Sequence, residues 1–106
     1  MIEAIKQFME GVGQTTSKYN ANQMGLYIGL ILEEVGELVT ELGNKDYARD
    51  INQLADLYKS GEFVLRLENL AQHDKLHLML DHCLDIAWVA QCLGFSMGSD
   101  VPGAVS

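Results

Sequence analysis

Three glutamates fall within five residues in the stretch Ile31-Leu32-Glu33-Glu34-Val35-Gly36-Glu37-Leu38. Residues three and four apart on a helix share a face. Glu34 with Glu37, and Glu33 with Glu37, can therefore aim their oxygens at one point, and Glu41 extends the stripe by a turn. Like charges at that spacing repel by roughly 0.2–0.5 kcal/mol per pair. A sequence that keeps them where alanine would be cheaper asks for a cation, and a hard divalent ion such as Mg²⁺ takes oxygen ligands of this kind. The competing reading is a solvated acidic face. A second acidic group weighs against it: in Leu80-Asp81-His82-Cys83-Leu84-Asp85-Ile86-Ala87-Trp88-Val89-Ala90, Asp81 and Asp85 are four apart and five uncharged residues follow Asp85. An ionised carboxylate in apolar surroundings needs a partner or a metal. Two helices, each presenting a pair of acids, predict a shared metal site.

The elements that must position these acids are all helical. Apolar residues at Ile2, Ile5, Phe8, Met9 and Val12 have helical spacing, and a polar loop over residues 14–20 follows, with Asn20 or Asn22 as the next N-cap. The second helix is expected from Ala21 to Leu42, with Leu26, Leu30, Val35, Leu38 and Leu42 as its core stripe and Gly43-Asn44 as its end. Gly25, Gly29 and Gly36 lower its stability by about 1 kcal/mol each relative to alanine. They imply either close approach of another helix or room for a ligand. A third helical region opens at Asp46, with Tyr47, Ile51, Leu54, Leu57 and Tyr58 periodic along it; Ser60-Gly61 breaks it, and Phe63, Val64, Leu67 and Leu70 carry the pattern on. The last helix is expected from Gln72-His73-Asp74 to Leu93 with Gly94 as its stop, and Leu76, Met79, Leu80, Cys83, Ile86 and Val89 as its core face. Residues 96–106 read as a loop-like tail. No stretch of useful length has strand periodicity.

A chain of 106 residues is expected to make one domain, residues 1–106. A formal charge of −8 excludes a basic nucleic-acid surface, so an acidic protein that handles phosphates needs metal ions between like charges. No uncharged apolar run reaches the ~18 residues of a membrane span, and Met1-Ile2-Glu3-Ala4-Ile5-Lys6 is unlike a signal peptide. No membrane association and a cytoplasmic location are expected. Cys83 and Cys92, nine apart, lie on opposite sides of one helix and read as reduced core thiols. Lys59 and Arg66 are either surface charges or cations for a polyphosphate, and Trp88 is either core or a stacking platform. His73 and His77 have no partner spacing.

At its two acidic clusters the chain resembles the MazG-like, all-α nucleoside triphosphate pyrophosphohydrolase superfamily, in which an ExxE motif on one helix and an ExxD motif on a later one hold Mg²⁺. Glu34-Val35-Gly36-Glu37 matches ExxE, Glu33 supplies the doubled glutamate, and the wording EEVGEL is typical; the resemblance runs from the first helix through Gly94. The second motif departs from the pattern, because three residues before Asp85 stands His82 instead of glutamate, and Asp81 lies four before. Asp81 can substitute from the neighbouring position. A ligating His82 would instead favour Mn²⁺ or another transition ion, since Mg²⁺ prefers oxygen. Similar proteins also continue past a Gly-rich turn into a short helix bearing lysine and asparagine, whereas this sequence stops at Ser106. That implies cations supplied by a partner subunit or a reduced grip on phosphate.

The resemblance implies a MazG-like four-helix bundle, dimeric or tetrameric, that converts a nucleoside triphosphate, standard or not, to the monophosphate and pyrophosphate. Glu34, Glu37, Asp81, Asp85 and His82 are the expected metal ligands. Glu33, Glu34, Glu37 and Asp85 are the expected catalytic set, with Glu33 orienting water. Lys59, Arg66, Trp88 and Phe8 are candidates for substrate contact, and Tyr27 is a further candidate against the base. Two rivals remain: a catalytically degenerate helical dimerisation module, and a di-iron carboxylate bundle, which would need Glu-x-x-His motifs that this sequence lacks.

Overall fold

In the computed structural model, which describes residues 2–72 and 75–98, every described element is helical: α1 (Ile2–Gly11), α2 (Ala21–Glu41), α3 (Lys45–Lys59), α4 (Val64–Leu70) and α5 (Leu76–Ser96). The all-α expectation holds among the described residues. They divide into two compact units, one carrying α1 and α5, the other, Tyr19–Gln72, carrying α2, α3 and α4.

In the second unit α2 starts at Asn20, whose side-chain oxygen accepts a hydrogen bond from the Gln23 N–H at 3.0 Å. That satisfies one of the donors a helix N-terminus leaves free. The helix ends where Gly43 takes a φ of +91°, which lets the Asn44 N–H reach the Val39 carbonyl at 3.1 Å and the Gly43 N–H reach Thr40 at 2.9 Å. A side chain would strain that left-handed turn. It reverses the chain, and α3 runs back along α2, giving the unit most of its contact.

The face that α2 buries differs from the one its leucines predict. Its buried residues are Ala21, Gly25, Gly29 and Gly36, and those of α3 are Ala48 and Ala55. A Cβ on Gly25 would lie 2.9 Å from the Tyr58 carbonyl oxygen, one on Gly29 2.8 Å from that of Ala55, and one on Gly36 2.2 Å from the Asn52 side-chain oxygen. The glycines therefore serve the close approach of a neighbouring helix. Of the expected stripe Leu26 is half-buried, Leu30, Val35 and Leu38 keep 36–40% of their surface exposed, and Leu42 is exposed; on α3 Leu54 and Leu57 are similarly half-covered and Tyr47 is exposed. The physical reason is that backbone-to-backbone packing over small residues turns the bulky side chains outward. Leu67 of α4 is the one large side chain buried among the described residues, and it lies against Gly25. The Tyr19 hydroxyl fastens the same turn by donating to the Leu67 carbonyl. Gly61 (φ +86°) makes the break between α3 and α4 that Ser60-Gly61 predicts.

α5 departs further from expectation. It runs through Gly94 to Ser96, and the left-handed residue that stops it is Gly98 (φ +88°). None of its residues is buried, and Leu76, Leu80, Ile86 and Val89 of the expected core face are exposed. Cys83 and Cys92 are free but exposed, which corrects their reading as core thiols. By length and composition alone α5 is apolar enough to cross a membrane. Residues 73 and 74, where its start was expected, and the tail from 99 onward lie outside the described residues.

Candidate functional site

Taking Gly29 as the origin and about 100° per residue, Glu33, Glu37, Glu41 and Glu34 fan across one flank of α2. That flank separates the glycine face from the aliphatic face. Glu33, a turn after Gly29, is nearest to α3 and half-buried; Glu34 and Glu37 are exposed. The three acids consequently have different partners.

Glu33 is paired. Lys59, the last residue of α3, donates from Nζ to Glu33 Oε2. The hydrogen bond to Glu33 is the main reason the Lys59 ammonium is held above its ordinary pKa, with burial opposing it and the charges of Glu33 and Asp56 adding to it. Gly29 makes the pairing possible, because a Cβ there would lie 2.3 Å from Lys59 Cγ and 3.0 Å from Cδ. The aliphatic stem of Lys59 thus runs across the space that a side chain at 29 would fill.

Glu34 and Glu37 have each other. The negative charge of Glu34 raises the pKa of Glu37 above its ordinary value, followed by desolvation, a hydrogen bond with Glu34 and the charge of Glu33. A proton relieves this repulsion, and so would a divalent cation. Mg²⁺ is commonly held by one or two carboxylates, with waters and substrate phosphates completing its shell. The donor chemistry of Glu34 and Glu37 fits it on that ground. Among the described residues no group of three or more His, Cys, Asp and Glu is gathered to hold a metal.

The other sequence candidates lie elsewhere. Arg66, on α4, sits 5.1 Å from the Phe63 ring centroid, and that ring meets Tyr58 edge-on with centroids 4.8 Å apart. Asp81, His82 and Asp85 are on α5, in the other unit from the ExxE acids. His82, Asp85, Ile86 and Val89 share one face of α5 and line a shallow, open concavity. Trp88 is 73% exposed on the same helix, and Phe8 is exposed on α1. Sequence spacing missed the link from Gly29 through Lys59 to Glu33. Its one visible trace is a glycine four residues before the first glutamate of the motif.

No family model matches the chain, and no curated protein or solved structure matches it.

Proposed function

We propose that the chain is a Mg²⁺-dependent nucleoside triphosphate pyrophosphohydrolase of the MazG-like type, cleaving the bond between the α- and β-phosphates. The observation that carries this reading is the Glu34–Glu37 pair, two oxygen donors whose mutual repulsion a cation would relieve. Glu34 and Glu37 hold the ion, with Asp85 and either Asp81 or His82 as the remaining ligands the resemblance implies. When bound, the metal neutralises the triphosphate and stabilises charge at the reacting phosphorus. Glu33 orients the attacking water and accepts its proton. Lys59 and Arg66 contact the polyphosphate, and Trp88 or Phe8 offers a ring to the base.

The active species is a homodimer or homotetramer with a MazG-like bundle. Support comes from the apolar surface a single chain leaves uncovered: Ile31, Val35, Leu38 and Leu42 along α2, and Leu78, Leu80, Leu84 and Ile86 among others along α5. That surface equally favours a second reading, in which the chain is a helical interaction module without catalysis. Pyrophosphate release over a nucleotide panel, with Mg²⁺ and then Mn²⁺, separates the two. Turnover is expected from the wild-type chain, and Glu37→Ala should reduce it at least ~100-fold, since even residues that only support metal ligands are worth 10–100-fold. The circular dichroism of the variant should keep its helical signature. Undiminished release by Glu37→Ala would refute the mechanism, and no release with any nucleotide or metal would leave the interaction module.

A further inference from the structure

One face of α5 is open, and the pattern of residues on it is self-complementary. Leu76, Leu80, Cys83, Ala87, Ala90 and Gly94 recur at intervals of four and three, the heptad spacing by which one helix meets another. At about 100° per residue they fall within about 40° of a common line along the helix. Asp81, His82 and Asp85 lie on the opposite half, so the seam carries no charge to desolvate. None of the seam residues is buried, Leu80 keeps 65% of its surface exposed, and a Cβ on Gly94 would meet nothing within 4 Å. The chain exposes 8110 Å², whereas a compact monomer of its 11.7 kDa exposes about 5,900 Å². The excess, about 2,200 Å², is more than the ~800 Å² that a standard interface takes from each partner.

The distribution of bulk along the seam selects the occupant. Leucines stand at its N-terminal end, Leu76 and Leu80, and the smallest residues at its C-terminal end, Ala90 and Gly94. A parallel copy would set leucine on leucine at one end and glycine on glycine at the other, splaying the helices. An antiparallel copy sets large on small in each layer: Leu76 on Gly94, Leu80 on Ala90 and Cys83 on Ala87. All three layers share one centre, at the level of Asp85. A two-fold interface demands this reciprocity, because a residue i that meets j requires j to meet i. Lipid is the poorer occupant. α5 has the length and composition of a membrane span, but Asp81 and Asp85 sit near its middle, where ionised side chains are costly. We propose that α5 is a self-recognition helix that pairs antiparallel with α5 of a second copy, large residues on small, about a two-fold axis at the level of Asp85. This deepens the homo-oligomer reading above and rests on it. The pairing leaves Asp81, His82 and Asp85 facing away from the seam. An alanine at position 94 would repeat the Leu80–Ala90 layer, so the seam accepts it.

The test uses the full chain in a Cys83→Ser, Cys92→Ser background, into which Leu80→Cys and Ala90→Cys are introduced singly. Under mild oxidation each variant alone should stay uncross-linked, because its two thiols lie ten residues, about 15 Å, apart along the antiparallel pair. An equal mixture of the two variants should give a disulfide-linked dimer on a non-reducing gel. Ala90→Leu adds apolar surface but sets bulk on bulk, and in sedimentation it should raise the dimer dissociation constant about tenfold. Association by unspecific hydrophobic contact would instead be strengthened by that change. Circular dichroism confirms that each variant keeps its helices. Cross-linking of either variant by itself would overturn the antiparallel pairing. An oligomer that shows neither the mixed cross-link nor weakening by Ala90→Leu would overturn the role of α5 while the homo-oligomer stands. A wild-type chain that sediments as a single molecule at every concentration would remove the homo-oligomer and this pairing together.

Discussion

Gly29 and Gly94 are the same residue in the middle and near the end of helices of equal length, yet their surroundings are opposite. At Gly29 a Cβ would meet the Ala55 carbonyl oxygen and the Lys59 stem; at Gly94 it would meet nothing within 4 Å. The contrast extends to the regions around them. The α2–α3 pair is closed by backbone approach over glycine and alanine, whereas α5 presents apolar side chains around its whole circumference with none buried. A helix that is apolar all round belongs in an interior. The lesson is that small residues close the α2–α3 contact while larger apolar side chains on α2 stay exposed, and that α5 has no comparable small-residue contact among the described residues.

The largest effect that would sharpen this contrast is on assembly. Introducing two charges as Leu80→Asp with Leu84→Asp should reduce the sedimentation mass to that of a single chain. The same pair of changes would leave the mass unaltered if α5 takes no part in self-association, and the proposed oligomer would then need another surface.

Next in size are the two glycines. Gly29→Ala forces backbone to move, an overpacking cost of about 1–3 kcal/mol, offset by about 1 kcal/mol of helix propensity. Urea denaturation should show a net loss of up to about 2 kcal/mol. Gly94→Ala gains the propensity without the clash and should stabilise by about 0.5–1 kcal/mol. Equal signs for the two would erase the distinction drawn between the regions. Asn20→Ala removes the cap of α2 and should cost about 1 kcal/mol, measured by the same unfolding curves.

The smallest effect is electrostatic. Because Glu34 raises the Glu37 pKa, protonation of Glu37 is favoured in the folded chain. In the metal-free protein this group therefore penalises folding above its raised pKa, and the penalty is relieved as pH falls through that value. Carboxyl NMR titration should place Glu37 above its ordinary value, and Glu34→Gln should bring it back. A Glu37 titration indifferent to Glu34 would remove the frustration that invites a cation.

Helical periodicity, an Asn at the start of α2 and a glycine after its end suffice to read four helical regions and the Ser60-Gly61 break within the third, since these features act within a turn or two of the backbone. The three acids of the ExxE motif and their mutual repulsion are legible for the same reason. One boundary and one face escape local rules. Glycine commonly ends helices, which favours a stop at Gly94, but the ending requires a left-handed backbone, and that is found at Gly98. The leucine stripe of α2 has the apolar periodicity of a core face, yet a glycine stripe competes with it.

Composition and spacing thus determined the all-helical architecture, the acidic flank of α2 and the apolar character of α5, because each depends on neighbours in sequence. Only tertiary structure decided which face of α2 is buried, that Lys59 reaches Glu33, and that Glu34 and Glu37 are left to each other. Those outcomes depend on how closely two backbones approach, a distance that residues far apart in sequence settle together.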